Sequence, residues 1–218
     1  MAFGIEDYDP IRPGMERSAA TVVPEIVRLI RPEKVVDVGC GQGVWLAEFA
    51  RHGCTIRGFD GHDGSRLDIS RDQYTQVDFE SVRQLDIGEG FDLAVCLEVA
   101  EHLPASRADW LVGTLCGTAP VVLFSAAIPG QGGSNHINEQ WPDYWAYRFA
   151  RDGYRVSGAL RWKWWDRVPA EIEPWYAQNM LLCVHHDELA DRPELDPLFG
   201  SEGTIPYPVV HPSYWVAR

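Results

Sequence analysis

The residues best suited to chemistry lie in Val35-Val36-Asp37-Val38-Gly39-Cys40-Gly41-Gln42-Gly43-Val44-Trp45. An apolar run ends in three alternate glycines, and an apolar helical pattern follows. Lacking a Cβ, glycines let the backbone turn tightly and approach a ligand closely. A helix starting there presents N–H groups without partners. Asp37 stands two residues before the first glycine. A carboxylate at that point disfavours a pyrophosphate and favours a ligand that carries an ammonium group. Dinucleotide enzymes prefer G-x-G-x-x-G, and here Val44 occupies the place of the last glycine.

A second group lies at Gln131–Trp145, glycine-rich at its start and aromatic at its end. His136 and Glu139 are its candidate general bases, because a hydroxyl nucleophile needs a base that titrates near operating pH. Asn135, Asn138, Trp141, Tyr144 and Trp145 are candidate substrate contacts. Trp175, Tyr176 and Asn179, in the cluster that begins at Glu173, extend that candidate wall.

The elements that position these groups alternate along the chain. A helix is expected over Ala19–Ile30, with Pro24 in its first turn. Strands are expected at Lys34–Val38, Thr55–Asp60, Tyr74–Asp78, Phe91–Leu97, Pro120–Ala127, Tyr154–Leu160 and Asn179–His185. Further helices are expected at Val44–Arg51, Arg107–Leu115 and Trp141–Arg151. Such alternation implies an α/β fold: a three-layer sandwich whose mostly parallel, seven-stranded sheet ends in an antiparallel edge. The expected organisation is a single domain over residues 1–218. Residues 1–18 are a possible lid, 130–150 a substrate-loop insertion and 187–218 an irregular tail.

The motif Asp37-x-Gly39-x-Gly41-x-Gly43 resembles the first motif of the class I S-adenosylmethionine-dependent methyltransferases, which are Rossmann-like. The resemblance covers residues 35–130 well and grows vague outside them. It implies S-adenosylmethionine as cofactor, bound by Asp37, Gly39, Cys40, Gly41 and Gly43. Asp60, which ends the second strand, and Gly61 would meet the ribose. Asp78 and Phe79 would meet the adenine. The stretch Glu98-Val99-Ala100-Glu101-His102-Leu103-Pro104 is similar to one found in small-molecule members of the family, and Glu98, Val99 and His102 would lie near the methionine end. The implied reaction is methyl transfer to a small-molecule acceptor, with an oxygen of a sugar or natural product favoured. Nitrogen or carboxylate acceptors are the alternatives, as is a protein that binds the cofactor without turnover. A nicotinamide-dependent oxidoreductase shares the sheet type, but Asp37 and the missing glycine argue against it.

Acidic residues outnumber Lys and Arg by 32 to 19, for a net charge of −13. That balance argues against nucleic acid and anionic lipid as partners. No apolar run approaches the ~20 residues needed to span a bilayer, and Met1–Arg12 has no signal-peptide core. The five cysteines form no C-x-x-C pair, so they read as core thiols in a reducing cytoplasm. No metal-ligand spacing is legible, and none is expected. The adjacent His185 and His186 would point to opposite faces of a strand. The many carboxylates leave an auxiliary Mg²⁺ open.

Overall fold

The computed structural model describes residues 9–200 and 206–214. Seven strands form one sheet: β1 (Lys34–Val38), β2 (Thr55–Asp60), β3 (Tyr74–Gln76), β4 (Leu93–Leu97), β5 (Val121–Ser125), β6 (Tyr154–Ser157) and β7 (Leu181–His185). Their spatial order is β3-β2-β1-β4-β5-β7-β6. β1 to β5 pair in parallel, while β7 runs antiparallel to both β5 and β6. The expected Rossmann-like sandwich with an antiparallel edge is the one observed.

Successive side chains of the central strands alternate between two cores, the period of two that an extended chain imposes. Val35, Leu93, Val95 and Leu123 face one layer, which holds α1 (Arg12–Ile30) and α2 (Val44–Arg51). Val36, Ala94, Cys96 and Phe124 face the other, which holds α3 (Ala108–Cys116) and α4 (Pro142–Arg151). Because β4 is covered on both faces, its sequence reads as a continuous apolar run, while in β1 the run of valines is broken by Asp37.

Five expectations need correction. α1 begins seven residues earlier than its apolar pattern suggested, so Pro13 is in its first turn and Pro24 lies inside it. The added turns bury Gly14, Met15 and Ser18, of which only Met15 is strongly apolar. The expected strand Tyr154–Leu160 stops at Ser157, and α5 (Ala159–Trp164) takes over. Asn179 ends α6 (Pro174–Asn179) rather than opening β7. The tail is also less irregular than expected. It contains α7 (His186–Asp191), and it buries Leu195 and Phe199 completely. His185 closes β7 while His186 opens α7, so their rings stack at 4.2 Å instead of pointing apart. Residues 1–8 of the expected lid lie outside the described residues; residues 12–18 belong to α1.

Candidate active site

The parallel strands β1, β2 and β4 all end at one edge of the sheet, and a cavity of about 670 Å³ opens there. This is where open α/β sheets bind ligands. At its floor the chain leaves β1 through Gly39, Gly41 and Gly43, whose φ values are +94°, +52° and +86°. All lie in the left-handed region, which costs an L-residue about 1–2 kcal/mol. The turn is stitched to β2. The N–H groups of Gly39 and Cys40 donate to the Phe59 carbonyl at 2.7 and 3.1 Å. Gly41 N–H donates to Asp60 Oδ2 at 2.7 Å, and His62 N–H to Asp60 Oδ1 at 3.2 Å. Gly43 does not line the cavity; it caps α2 against Ile69.

A Cβ at Gly39 would overlap Val99 Cγ2 in a backbone conformation that alanine resists. Gly39→Ala is therefore expected to destabilise the fold by about 2–4 kcal/mol. Urea unfolding would measure this. Adding Val99→Ala should recover only the steric part, since φ stays unfavourable.

The cavity walls carry Asp37, Asp60, Asp78, Glu80, Glu98 and Glu101, and no Lys or Arg among the described residues. Cys40, Gly41, Gly61, Phe79, Val99 and His102 also line it. Asp37 is 3% exposed and accepts no hydrogen bond among the described residues. Burial, with the charge of Asp60 nearby, raises its pKa well above the usual carboxylate range. A buried acid of this kind suits a cationic ligand. Asp78 stands just beyond β3, where Ser81 Oγ donates to it at 2.6 Å and Glu80 N–H at 3.0 Å. Those two donors hold its pKa down.

On the opposite wall, the loop after β5 builds a two-residue device. Glu139 accepts from the N–H groups of Gly130 and Gly132 at 2.7 and 3.0 Å. Its Oε1 also lies 3.0 Å from His136 Nδ1. Burial opposes the charge on Glu139, but His136 and the two N–H groups prevail and lower its pKa. Of the two expected bases, only His136 lines the cavity. Glu139 stands behind it and fixes the imidazole, the arrangement of a base oriented by a third group. The ring of His102 lies edge-on to His136 at 5.0 Å. Burial, then the neighbouring His136, lowers the pKa of His102 to about 4.

The expected substrate residues divide. Trp175 and Tyr176 line the cavity. Trp145 does not: it is 1% exposed and packs on Phe124 in the far core, because α4 is amphipathic and sets Trp145 and Phe149 on its buried face. Tyr144 stacks under Arg148, its ring 3.6 Å from the guanidinium carbon, and Trp141 precedes α4, outside the cavity. Asn135 adopts φ +60° in a turn, a conformation Asn tolerates. Asn138 is buried and braces the loop against the Ala100 carbonyl. Asn179 hydrogen-bonds Glu98. The cavity also takes Ile11 and Met15 from one end of the chain and Tyr214 from the other, which sequence reading missed.

Glu101, His102 and His136 offer ligand atoms within 4.8 Å of one another, a set able to hold a metal ion that sequence spacing did not reveal. Glu101 is fully buried. Its Oε1 accepts from Ala127 N–H at 3.1 Å, while Oε2 has no donor among the described residues. Burial and the charge of Glu98 push its pKa well up.

These raised carboxyl pKa values have a consequence for stability. Above the unfolded pKa the native chain binds more protons than the unfolded one, so stability falls as pH rises. His102 acts oppositely, favouring the native state as pH climbs from about 4. Without ligand, the melting temperature is expected to fall as pH rises above about 6.5, where the opposing His102 contribution is complete, which a thermal scan would show.

A glycine turn on a Rossmann-like sheet, with Asp60 at the end of the next strand and an acid-lined cavity above, defines an α/β domain suited to a cationic ligand. Residues 12–119, just under half of the chain, match the family model described as a methyltransferase domain, and with the fold this supports a class I S-adenosylmethionine-dependent methyltransferase. The ubiquinone biosynthesis O-methyltransferase of Neisseria meningitidis serogroup C (strain 053442) is 32% identical over 84 residues, 34% of this chain and 35% of that protein. The chain thus matches about a third of the length of such curated relatives. The sugar N-methyltransferase KedS8 from Streptoalloteichus sp ATCC 53650 shares the fold at TM-score 0.61 and 14% identity, over 82% of this chain and 92% of that one. The magnesium protoporphyrin IX methyltransferase of Synechocystis PCC 6803, solved with bound SAH, aligns at TM-score 0.55 and 18% identity, over 80% and 85%.

Proposed function

We propose that this protein transfers the methyl group of S-adenosylmethionine to a hydroxyl oxygen of a small molecule, a sugar or a natural product. The observation that carries this reading is His136, held by Glu139 on a cavity wall across from the glycine turn and Asp60. The cofactor fits the residues present. Asp60 and Gly61 suit the ribose, Phe79 the base, and Asp37 and Glu98 the amino group. When bound, the cofactor supplies an electrophilic methyl on a sulfonium. The protein's own residues then have two tasks. The walls hold the acceptor in line with that methyl, the largest contribution such a site makes. His136 takes the hydroxyl proton at Nε2, since Nδ1 is committed to Glu139.

The name of the Neisseria relative supports oxygen as the acceptor atom, and that of KedS8 supports a sugar with nitrogen as the alternative. Acidic walls disfavour a carboxylate acceptor. No helix among the described residues is long and apolar enough to cross a membrane, and we place the enzyme in the cytoplasm. We take residues 1–218 as one working domain without a nucleic-acid or membrane partner.

A second reading of the same wall is favoured by the donorless Oε2 of Glu101: a divalent cation held by Glu101, His102 and His136 would stabilise the acceptor oxygen's charge. Release of S-adenosylhomocysteine against a panel of phenols, sugars and amines tests both. Turnover of hydroxyl acceptors that survives EDTA fits His136 as the base. Turnover lost in EDTA and restored by Mg²⁺ fits the cation. No release with any acceptor contradicts the enzymatic reading.

A further inference from the structure

Glu98 is half-buried on the cavity wall with φ +55°, a left-handed conformation rare for a glutamate. Such a conformation persists only where the surroundings over-determine it. Here three distant parts of the chain converge. Asn179 Nδ2 donates to Glu98 Oε1 at 3.1 Å, and Gln131 Nε2 donates to Oε2 at 3.0 Å. Asn179 also donates to Gln131 Oε1 at 2.8 Å, tying the two amides together. Gln178, 1% exposed, donates to Asn179 Oδ1 at 2.9 Å and accepts from His211 N–H at 2.7 Å, which draws in the C-terminal segment.

Every side-chain donor in this network is neutral. Amides orient a carboxylate without cancelling its charge, whereas an Arg or Lys would neutralise it. No such cation lines the cavity among the described residues. The charge on Glu98 is thus aimed and left for a ligand to meet. Asp37, on the neighbouring strand, is a buried acid that lines the same cavity.

We infer that Asn179 and Gln131 are positioning residues, whose amides hold the Glu98 carboxylate toward the amino-acid end of the methyl donor so that its ammonium meets this charge. The inference rests on the donor proposed above. It moves Asn179 from acceptor contact to donor recognition, one residue removed.

Calorimetry on the full chain with two ligands tests it. S-adenosylhomocysteine carries the amino-acid end; 5′-methylthioadenosine keeps the nucleoside and thioether but lacks it. Asn179→Leu is expected to weaken S-adenosylhomocysteine about 10- to 100-fold, as losing hydrogen bonds to a charged group does, and to change 5′-methylthioadenosine less than about twofold. Gln131→Leu, on the loop, should show the same selectivity and carries the test if Asn179→Leu does not fold. Equal loss of both ligands would reduce the amides to a folding role and overturn the inference. Unchanged S-adenosylhomocysteine binding would turn Glu98 toward the acceptor and also overturn it. If the wild type binds neither ligand, the donor assignment itself fails.

Discussion

His136→Ala is expected to lower kcat by about two to four orders of magnitude, the range a positioned general base contributes. Affinity for S-adenosylhomocysteine should stay within about twofold, because a hydroxyl proton becomes acidic only as the methyl transfers, and ground-state binding does not sense the base. Glu139→Gln should cost less, about 10- to 100-fold. The amide can still lie beside Nδ1, but it no longer stabilises the imidazolium that forms. Its two backbone donors at Gly130 and Gly132 would also face a neutral acceptor. Steady-state rates with a hydroxyl acceptor would measure both. A His136→Ala enzyme with normal kcat would remove the base from the account.

Asp60→Ala is expected to weaken S-adenosylhomocysteine by about 100-fold or more, since hydrogen bonds to a charged group are worth about 1.5–3 kcal/mol each. On the proposed reading Asp60 has two roles: it lines the cavity where the ribose would sit, and its oxygens accept from Gly41 and His62, which pins the glycine turn to β2. Alanine removes both the ligand contact and the pin. Asp60→Asn keeps one acceptor oxygen and should recover part of the loss. Asp78→Ala should cost no more than about fivefold, because Asp78 is exposed and engaged in its own turn with Ser81.

The donor half of the site was legible in the sequence for a physical reason. Strands buried on both faces are rich in apolar residues, and glycines suit a left-handed turn at their end best. Val35 to Val44 therefore showed both the element and its chemistry, and β1, β2 and α2 have the expected bounds. The rest of the site depends on contacts between residues far apart in sequence. Asn179 meets Glu98 across 81 positions, and Tyr214 reaches the cavity from the far end of the chain. No local pattern signals such pairs. Trp145 is different: its spacing of four from Phe149 is helical, so the pattern of α4 could have placed it in the core. Aromatic composition alone suggested a wall.

The central claim is that the cavity above the glycine turn is a site for S-adenosylmethionine. Its most direct test is calorimetric titration of the purified wild-type chain with S-adenosylhomocysteine, beside Asp60→Ala and an NAD control. One site per chain, sharply weakened in Asp60→Ala and with no heat from NAD, is the predicted result. A well-folded wild type that binds NAD, or does not bind S-adenosylhomocysteine, would contradict it.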